Sequence, residues 1–304
     1  MSNATKESIN GILLLDKPQG LSSNQALQKV KRLFNAKKAG HTGSLDPLAT
    51  GLLPIAFGEA TKFNRFMLEA KKTYWVEAQL GSQTSTADQE GDIVAQKPVP
   101  VLNLSDVRIA LNLLLGQSMQ SPPMYSALKI NGQTLYKLAR QGVVVERLPR
   151  AIEIFAINLH HFDPLLYLIK FEVTCSKGTY IRTLVESLAD KLNTLGYLKN
   201  LRRLEHGPFK AKDMIDFSDL ITQKTETIMP MEQFLLPIDA ALTLPILELQ
   251  DSEALVVQQG KSFKAQNHVA MGWCALYQAG QFMGVGEFDS VGELNQRRLL
   301  RSIA

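Results

Sequence analysis

Residues 40–63 read GHTGSLDPLATGLLPIAFGEATKF. Up to Glu59 the stretch carries one acidic residue, Asp46, among glycines, small hydroxyls, proline and apolar side chains. His41 precedes it, and Gly43 and Gly51 stand on either side. Glycine lets a backbone turn sharply or approach another group closely. A lone loop aspartate is by itself most often a turn former that bonds its own backbone. So the carboxylate either closes a turn or is displayed to a ligand, and composition leaves both open. The glycines and prolines of residues 40–54 predict a loop.

Outward from this loop the chain alternates short elements. GILLLDKPQG (residues 11–20) reads as a buried strand stopped at Pro18 and Gly20. SSNQALQKVKRLFN (22–35) reads as a helix capped by Ser22 or Ser23, with Leu27, Val30, Leu33 and Phe34 as its apolar stripe. KTYWVEAQLG (72–81) alternates, placing Tyr74, Val76, Ala78 and Leu80 on one strand face. Residues 105–116 predict a helix capped by Ser105 and stopped at Gly116. Residues 121–142, SPPMYSALKINGQTLYKLARQG, mix turn signals with tyrosines and lysines and read as an excursion from the core.

LLYLIKFEVTCSKGTY (165–180) predicts a strand with Tyr167, Ile169, Phe171, Val173 and Cys175 on one face. The helix IRTLVESLADKL follows, which puts Tyr180 and Arg182 at a strand-to-helix junction. YLKNLRRLEHGPF (197–209) reads as a further strand and residues 222–249 as a connection. A short helix in 249–260, a hairpin turning at Ala279-Gly280 and a closing strand in 297–303 suggest a small β-rich unit. Strands and helices mix without regular βαβ alternation, so the fold class is α+β.

Bulk properties narrow the function classes. The 304 residues are 45% hydrophobic and 20% charged, enough to bury a core without staples. No apolar run reaches the ~20 residues of a membrane span, and the N-terminus lacks a hydrophobic signal region. Two distant cysteines, Cys175 and Cys274, have no metal-ligand spacing, which favours a reduced, cytoplasmic setting. Five scattered histidines form no metal motif, and no glycine-rich phosphate loop or G-x-S-x-G elbow is present. The net charge of +4 is uneven. Lys29, Lys31, Arg32, Lys37 and Lys38 crowd an acid-free run, Arg202-Arg203 form a second cluster, and Arg297, Arg298 and Arg301 a third. Each alone is an ordinary solvated face; together they predict a polyanion partner.

GHTGSLDPLATGLLPI resembles the signature of the TruB-type pseudouridine synthases, and five further segments agree in the family's order: GILLLDKPQGLSSN, KTYWVEAQLG, residues 121–142, CSKGTYIRTL and LRRL. The likeness covers roughly residues 11–210. It implies a mixed, largely antiparallel sheet core with flanking helices. The tail is similar to the PUA-type RNA-binding domain of bacterial members. The implied division is a tail at 1–10, a catalytic domain at 11–248 with an RNA-clamping excursion at 121–142, and a PUA-like domain at 249–304.

The resemblance also implies site residues. Asp46 corresponds to the catalytic aspartate, Tyr74 to the tyrosine lying against the target base, and Arg182 to the arginine that pairs with the carboxylate. His41 corresponds to the histidine beside the flipped nucleotide, Tyr180 and Leu201 to positions lining the base pocket, and Asp88 to a further polar position near the site. The implied activity is isomerisation of the T-loop uridine of tRNA to pseudouridine after base flipping. It calls for no metal and no cofactor, because the N1–C1′ bond breaks and C5 joins C1′ without redox change. The implied partner is the tRNA T-arm, with no membrane, no protein partner and a monomeric chain. Two other readings stand beside it: a non-catalytic tRNA-binding or folding factor, and a synthase acting on another RNA. Without the resemblance, Arg182 reads equally well as a surface arginine, Tyr74 as ordinary core and His41 as a loop hydrogen-bonder.

Overall fold

A computed structural model of the chain describes residues 7–126, 128–130, 132–226, 230–265 and 271–301. In chain order the strands are β1 (Gly11–Lys17), β2 (Ala39–His41), β3 (Thr50–Phe57), β4 (Lys72–Leu80), β5 (Ser82–Thr84), β6 (Ile93–Gln96), β7 (Gly116–Gln120), β8 (Lys129–Ile130) and β9 (Gln133–Thr134). They continue as β10 (Arg150–Asp163), β11 (Leu168–Cys175), β12 (Gly196–His206), β13 (Phe209–Lys210), β14 (Ile215–Asp216), β15 (Ile246–Glu248), β16 (Gly272–Gln278), β17 (Gln281–Phe288) and β18 (Leu294–Leu299). The helices are α1 (Ser23–Leu33), α2 (Asn64–Glu69), α3 (Leu104–Asn112), α4 (Leu135–Arg140), α5 (Ile181–Lys191), α6 (Phe217–Glu226) and α7 (Asp251–Gln258).

The main sheet runs β14-β1-β3-β12-β4-β11-β10-β7, with β2 beside β3 and β13 beside β12. Its pairs are antiparallel except β1 with β14 and β3 with β12. The fold is therefore α+β, with a mixed and largely antiparallel sheet. β1 and β3 read as continuous apolar runs because they are covered on both faces. Leu13, Leu15, Leu53 and Ile55 pack on Ala26, Leu27 and Val30 of α1. Ile12, Leu14, Leu52 and Ala56 pack on the other side against Ala60, Met67 and Phe209. In the alternating strand β4, Tyr74, Val76, Ala78 and Leu80 turn to α3 and α5. Ser22 caps α1 in a reciprocal capping box with Gln25.

Several expectations change. The loop predicted for residues 40–54 is shorter, because β3 begins at Thr50. Pro54 is tolerated inside that strand because it falls between the residues paired to β12 (Thr50, Gly51) and those paired to β2 (Ile55 to Phe57), where no donor is needed on that side. The cap of α3 is Asn103, not Ser105: its side chain accepts from the Ser105 and Asp106 amides, so the helix starts two residues earlier. Tyr167 lies outside β11, in a left-handed turn with φ of 54°. Residues 222–249 hold the end of α6, two 3-10 turns and β15, since Met231 and Leu220 bury against α1. Residues 1–6 and 302–304, in the expected tail and closing strand, lie outside the described residues.

β15, β16, β17 and β18 form a second sheet, packed on α7 through Val257, Leu276 and Phe288. Its first strand, β15, begins at Ile246 and pairs parallel with β16. Ala279 and Gly280 turn its hairpin with φ of 49° and 72°, as an I′-type turn requires. It docks on α2 and the turn before it: Arg65 lies 4.6 Å from the Trp273 ring centre, Phe63 stacks edge-on to Phe282, and Lys62 donates to the Leu299 carbonyl at 2.8 Å. No described helix is long and apolar enough to cross a membrane.

Candidate active site

The loop between β2 and β3 is pinned to the start of α1. The Leu45 amide donates to the Ser23 hydroxyl at 2.7 Å, and that hydroxyl donates back to the Leu45 carbonyl at 3.1 Å. Gly20 donates to the Pro47 carbonyl at 2.8 Å. The Asp46 carbonyl closes a turn with the Ala49 amide at 3.0 Å, which leaves the carboxylate free to face outward. Gly51 lets β12 come close underneath. Its φ is +95°, and a Cβ there would stand 2.3 Å from the Arg203 carbonyl oxygen.

Arg182 reaches this carboxylate from the first turn of α5. Its Nη2 lies 2.9 Å from Asp46 Oδ2 and its Nη1 3.6 Å from Asp88 Oδ2. It also donates to the Thr86 carbonyl at 3.0 Å and the Tyr125 carbonyl at 2.6 Å. A cation at a helix N-terminus is disfavoured by the helix dipole; two carboxylates and two carbonyls offset that. Arg182 is 4% exposed, so it is no surface arginine. Asp88, equally buried, accepts from the Thr86 hydroxyl at 2.5 Å and the Glu90 amide at 3.1 Å. Ala87 between them takes a left-handed φ of 61°, a strained conformation for a residue with a Cβ. That turn aims both the Thr86 carbonyl and Asp88 at one guanidinium.

Asp46, Asp88, Arg182 and His41 open onto one cleft of about 720 Å³. One wall is the start of α1, with Ser22 and Asn24; the other is the 121–142 excursion, with Tyr125, Tyr136 and Arg140. The Asp46 side chain is 45% accessible, but to the cleft and not to an open surface. Enough protein surrounds it that burial is the largest influence on its pKa and pushes it above the ordinary carboxylate value. The Arg182 guanidinium opposes that rise, the Asp88 charge adds to it, and Lys17 opposes it. His41 is held below its usual value, first by burial and then by the Arg203 charge, so it stands neutral. Its Nδ1 is buried with no partner among the described residues.

Tyr74, Tyr180 and Leu201 lie just outside the cleft lining. Tyr74 is packed with Leu45, Leu48 and Ala49 of the Asp46 loop and stands opposite Arg203 of β12; burial pushes its phenol pKa up, and the Arg203 charge opposes that rise. Tyr180 precedes α5 and is held by Gln120, whose side chain accepts from its amide at 2.8 Å and donates to its carbonyl at 3.1 Å. Leu201 sits on β12 opposite Val76.

The basic clusters behave differently from one another. Lys29, Arg32, Lys37 and Lys38 are exposed. Arg202 is paired to Asp16, with Nη1 3.0 Å from Oδ1. Arg203 is enclosed and unavailable to phosphate. Arg297 is spent on the carbonyls of Val257, Gly260 and Lys261. Sequence reasoning missed Lys17, which is buried beneath the site and donates to the carbonyls of Pro18 and Leu21. Burial pulls its pKa down to about 8 against the charges of Asp46 and Glu90. Its one signal was its place as the last residue of an apolar strand.

Comparison with known proteins agrees along the whole chain. Residues 31–181 match the family described as TruB family pseudouridylate synthase (N terminal domain). Residues 182–243 match the tRNA pseudouridylate synthase B C-terminal domain, and residues 245–300 the Pseudouridine synthase II TruB C-terminal family. A curated relative from Pseudomonas aeruginosa (strain UCBPP-PA14), tRNA pseudouridine synthase B, is 46% identical over 300 residues, covering 98% of each chain. A protein of the same name from Methylobacillus flagellatus is 47% identical over 298 residues, covering 97% of each. Among solved structures, a Cbf5-Nop10-Gar1 complex contains a chain of the same fold, with a TM-score of 0.73 at 23% identity over 96% of this chain and 84% of that one. Sequence, fold and relatives converge: this chain is an isomerase belonging to the TruB family of pseudouridine synthases.

Proposed function

We propose that the chain converts the T-loop uridine of tRNA to pseudouridine, with Asp46 as the catalytic carboxylate. The observation that carries this reading is the Asp46–Arg182 pair, 2.9 Å apart at the base of a cleft large enough for an extruded nucleotide. Curated relatives 44–47% identical bear the name tRNA pseudouridine synthase B. The reaction separates N1 from C1′ and leaves electron-poor character on the sugar carbon, the problem that glycosidase carboxylates meet. Asp46 can attack C1′ or take the C2′ proton; both need it ionised. The Arg182 fork favours that form and fixes the carboxylate's direction. A tyrosine ring against uracil supplies ~1–3 kcal/mol of stacking, which is the role we assign to Tyr74. Extruding the base costs a few kcal/mol, and the role we assign to His41, which lines the cleft, is to fill the vacated space. Tyr180 and Leu201 complete the pocket beside it, and Asp88 holds Arg182.

Residues 121–142 form the clamp over the RNA, and the exposed lysines of α1 and residues 37–38 hold phosphates. The small sheet serves as a second, PUA-like RNA-binding unit beside the catalytic one. On this reading the chain works in the cytoplasm as a monomer without a protein partner. The test is tritium release from transcripts carrying 5-tritiated uridine. A tRNA transcript should release label, the same transcript with its T-loop uridine replaced by cytidine should not, and a ribosomal RNA transcript should not. Release from the ribosomal transcript alone would refute the tRNA assignment.

A further inference from the structure

Arg203 is 1% exposed and stands on β12 directly opposite Tyr74 on β4. Its Nε donates to the Leu52 carbonyl at 2.6 Å and its Nη2 to the Gly43 carbonyl at 3.3 Å. Tyr74 is its cross-strand neighbour, and the phenol lies close enough to act on its charge. Among the described residues no carboxylate pairs with it. A buried cation without a carboxylate carries a desolvation penalty that two carbonyls and a phenol offset only in part. Packing alone would be served as well by an apolar side chain of that length, so the charge calls for a further reason.

The geometry supplies one. A guanidinium only donates, so beside Tyr74 it can serve the phenol only as a donor and a positive charge. Leu45, Leu48 and Ala49 of the Asp46 loop pack in the same cluster as the ring, so that loop is close at hand. The Gly43 carbonyl that accepts from Arg203 belongs to the same loop. One side chain thus ties the phenol and the catalytic loop to a common point. We propose that Arg203 is a positioning residue for the reaction, one that holds the Tyr74 phenol and the Asp46 loop in a fixed relation to each other. This rests on the assignment of Tyr74 and Asp46 to the site given above. It differs from a phosphate role for Arg203, which its burial excludes.

The test uses the full chain in three arms. In the first, 3-fluorotyrosine is placed at position 74 alone, and its 19F resonance is compared with and without Arg203→Lys; the same label at Tyr197 is the control. The position-74 signal should move and the control should not. In the second, which keeps Arg203 and so survives any folding failure of its variants, Tyr74→Phe is examined with 15N-arginine. The guanidinium resonances of Arg203 should shift. In the third, single-turnover tritium release is measured with tRNA affinity. Arg203→Lys should slow release at least tenfold in the wild-type background and less than twofold in the Tyr74→Phe background, with affinity within twofold throughout. Equal slowing in both backgrounds, or silent 19F and 15N signals, would overturn the proposal, and the spectroscopic arms decide if Tyr74→Phe is inactive. A wild-type chain that releases no tritium would count against the proposed function, while those two arms still read the contact.

Discussion

Replacing Arg182 by methionine keeps an unbranched apolar stem and removes the guanidinium with its charge and its donors. The consequences divide between two carboxylates. Asp88 is 3% exposed and would keep only the Thr86 hydroxyl and the Glu90 amide. Breaking one side of a buried ion pair costs about 3–5 kcal/mol; with two hydrogen bonds retained, the low end applies, about 3 kcal/mol. For a chain of this size that lowers the Tm by about 6 °C, at about 2 °C per kcal/mol. Asp46 opens onto the cleft and contributes little of this loss. Its penalty is kinetic: without the guanidinium its pKa rises further, because burial and Asp88 then act unopposed except by Lys17. Less of it is ionised at neutral pH, and it is no longer held in direction. A misplacement of about 1 Å costs about 10²-fold in rate, so the rate at neutral pH should fall by at least that, and the acid limb of the rate–pH profile should move to higher pH. Arg182 is nearly fully buried, with its donors taken by Asp46, Asp88 and two carbonyls, so tRNA affinity should change less than about threefold. The assay is single-turnover tritium release across pH together with filter binding. A variant whose affinity falls as far as its rate, with an unmoved acid limb, would show that Arg182 holds phosphate and that the pairing argument is wrong.

Other perturbations read other links. Gly51→Ala places a Cβ 2.3 Å from the Arg203 carbonyl at a φ of +95°, and should cost about 2–4 kcal/mol in urea unfolding; an unchanged midpoint would mean that β12 does not pass so close. His206 is fully buried, its ring bonded at Nε2 to the Met67 carbonyl, and burial pulls its pKa down to about 2. Below about pH 6.5 the unfolded chain therefore binds a proton that the fold refuses, and stability falls by up to about 1.4 kcal/mol per pH unit. His206→Gln, which keeps a donor and cannot titrate, should flatten that slope between about pH 6.5 and 5; identical slopes would show that the histidine is free to protonate in the fold. Replacing Lys37 and Lys38 by glutamine should reduce the salt dependence of tRNA binding by about one to two phosphate contacts, whereas Arg202→Gln, whose charge is already paired to Asp16, should scarcely change it.

The main strands and α1 were legible because their patterns are local. The continuous apolar run of β1 and the alternation of β4 each report the number of covered faces. Pro54 and Ser105 misled for the opposite reason. Whether a proline breaks a strand depends on which neighbour needs its N–H, and which of Asn103 and Ser105 caps a helix depends on where the chain enters it. The site was legible through the motif at Asp46 and the family it resembles. Its support was not. The Thr86 and Tyr125 carbonyls that hold Arg182 carry no side-chain signal. Arg203 sat in what reads as a phosphate-binding cluster, and only the close passage of β12 beneath Gly51 turns it inward. Charge on a sequence does not show which face it takes.

The account stands most directly on the carboxylate of residue 46. Asp46→Asn preserves the size of the side chain and removes the charge that either chemical route requires. In a single-turnover assay with saturating enzyme and 5-tritiated tRNA, the variant should bind the transcript with affinity within about threefold of the wild type and release no tritium above background. Release at the wild-type rate would contradict the account, whatever the geometry around Arg182.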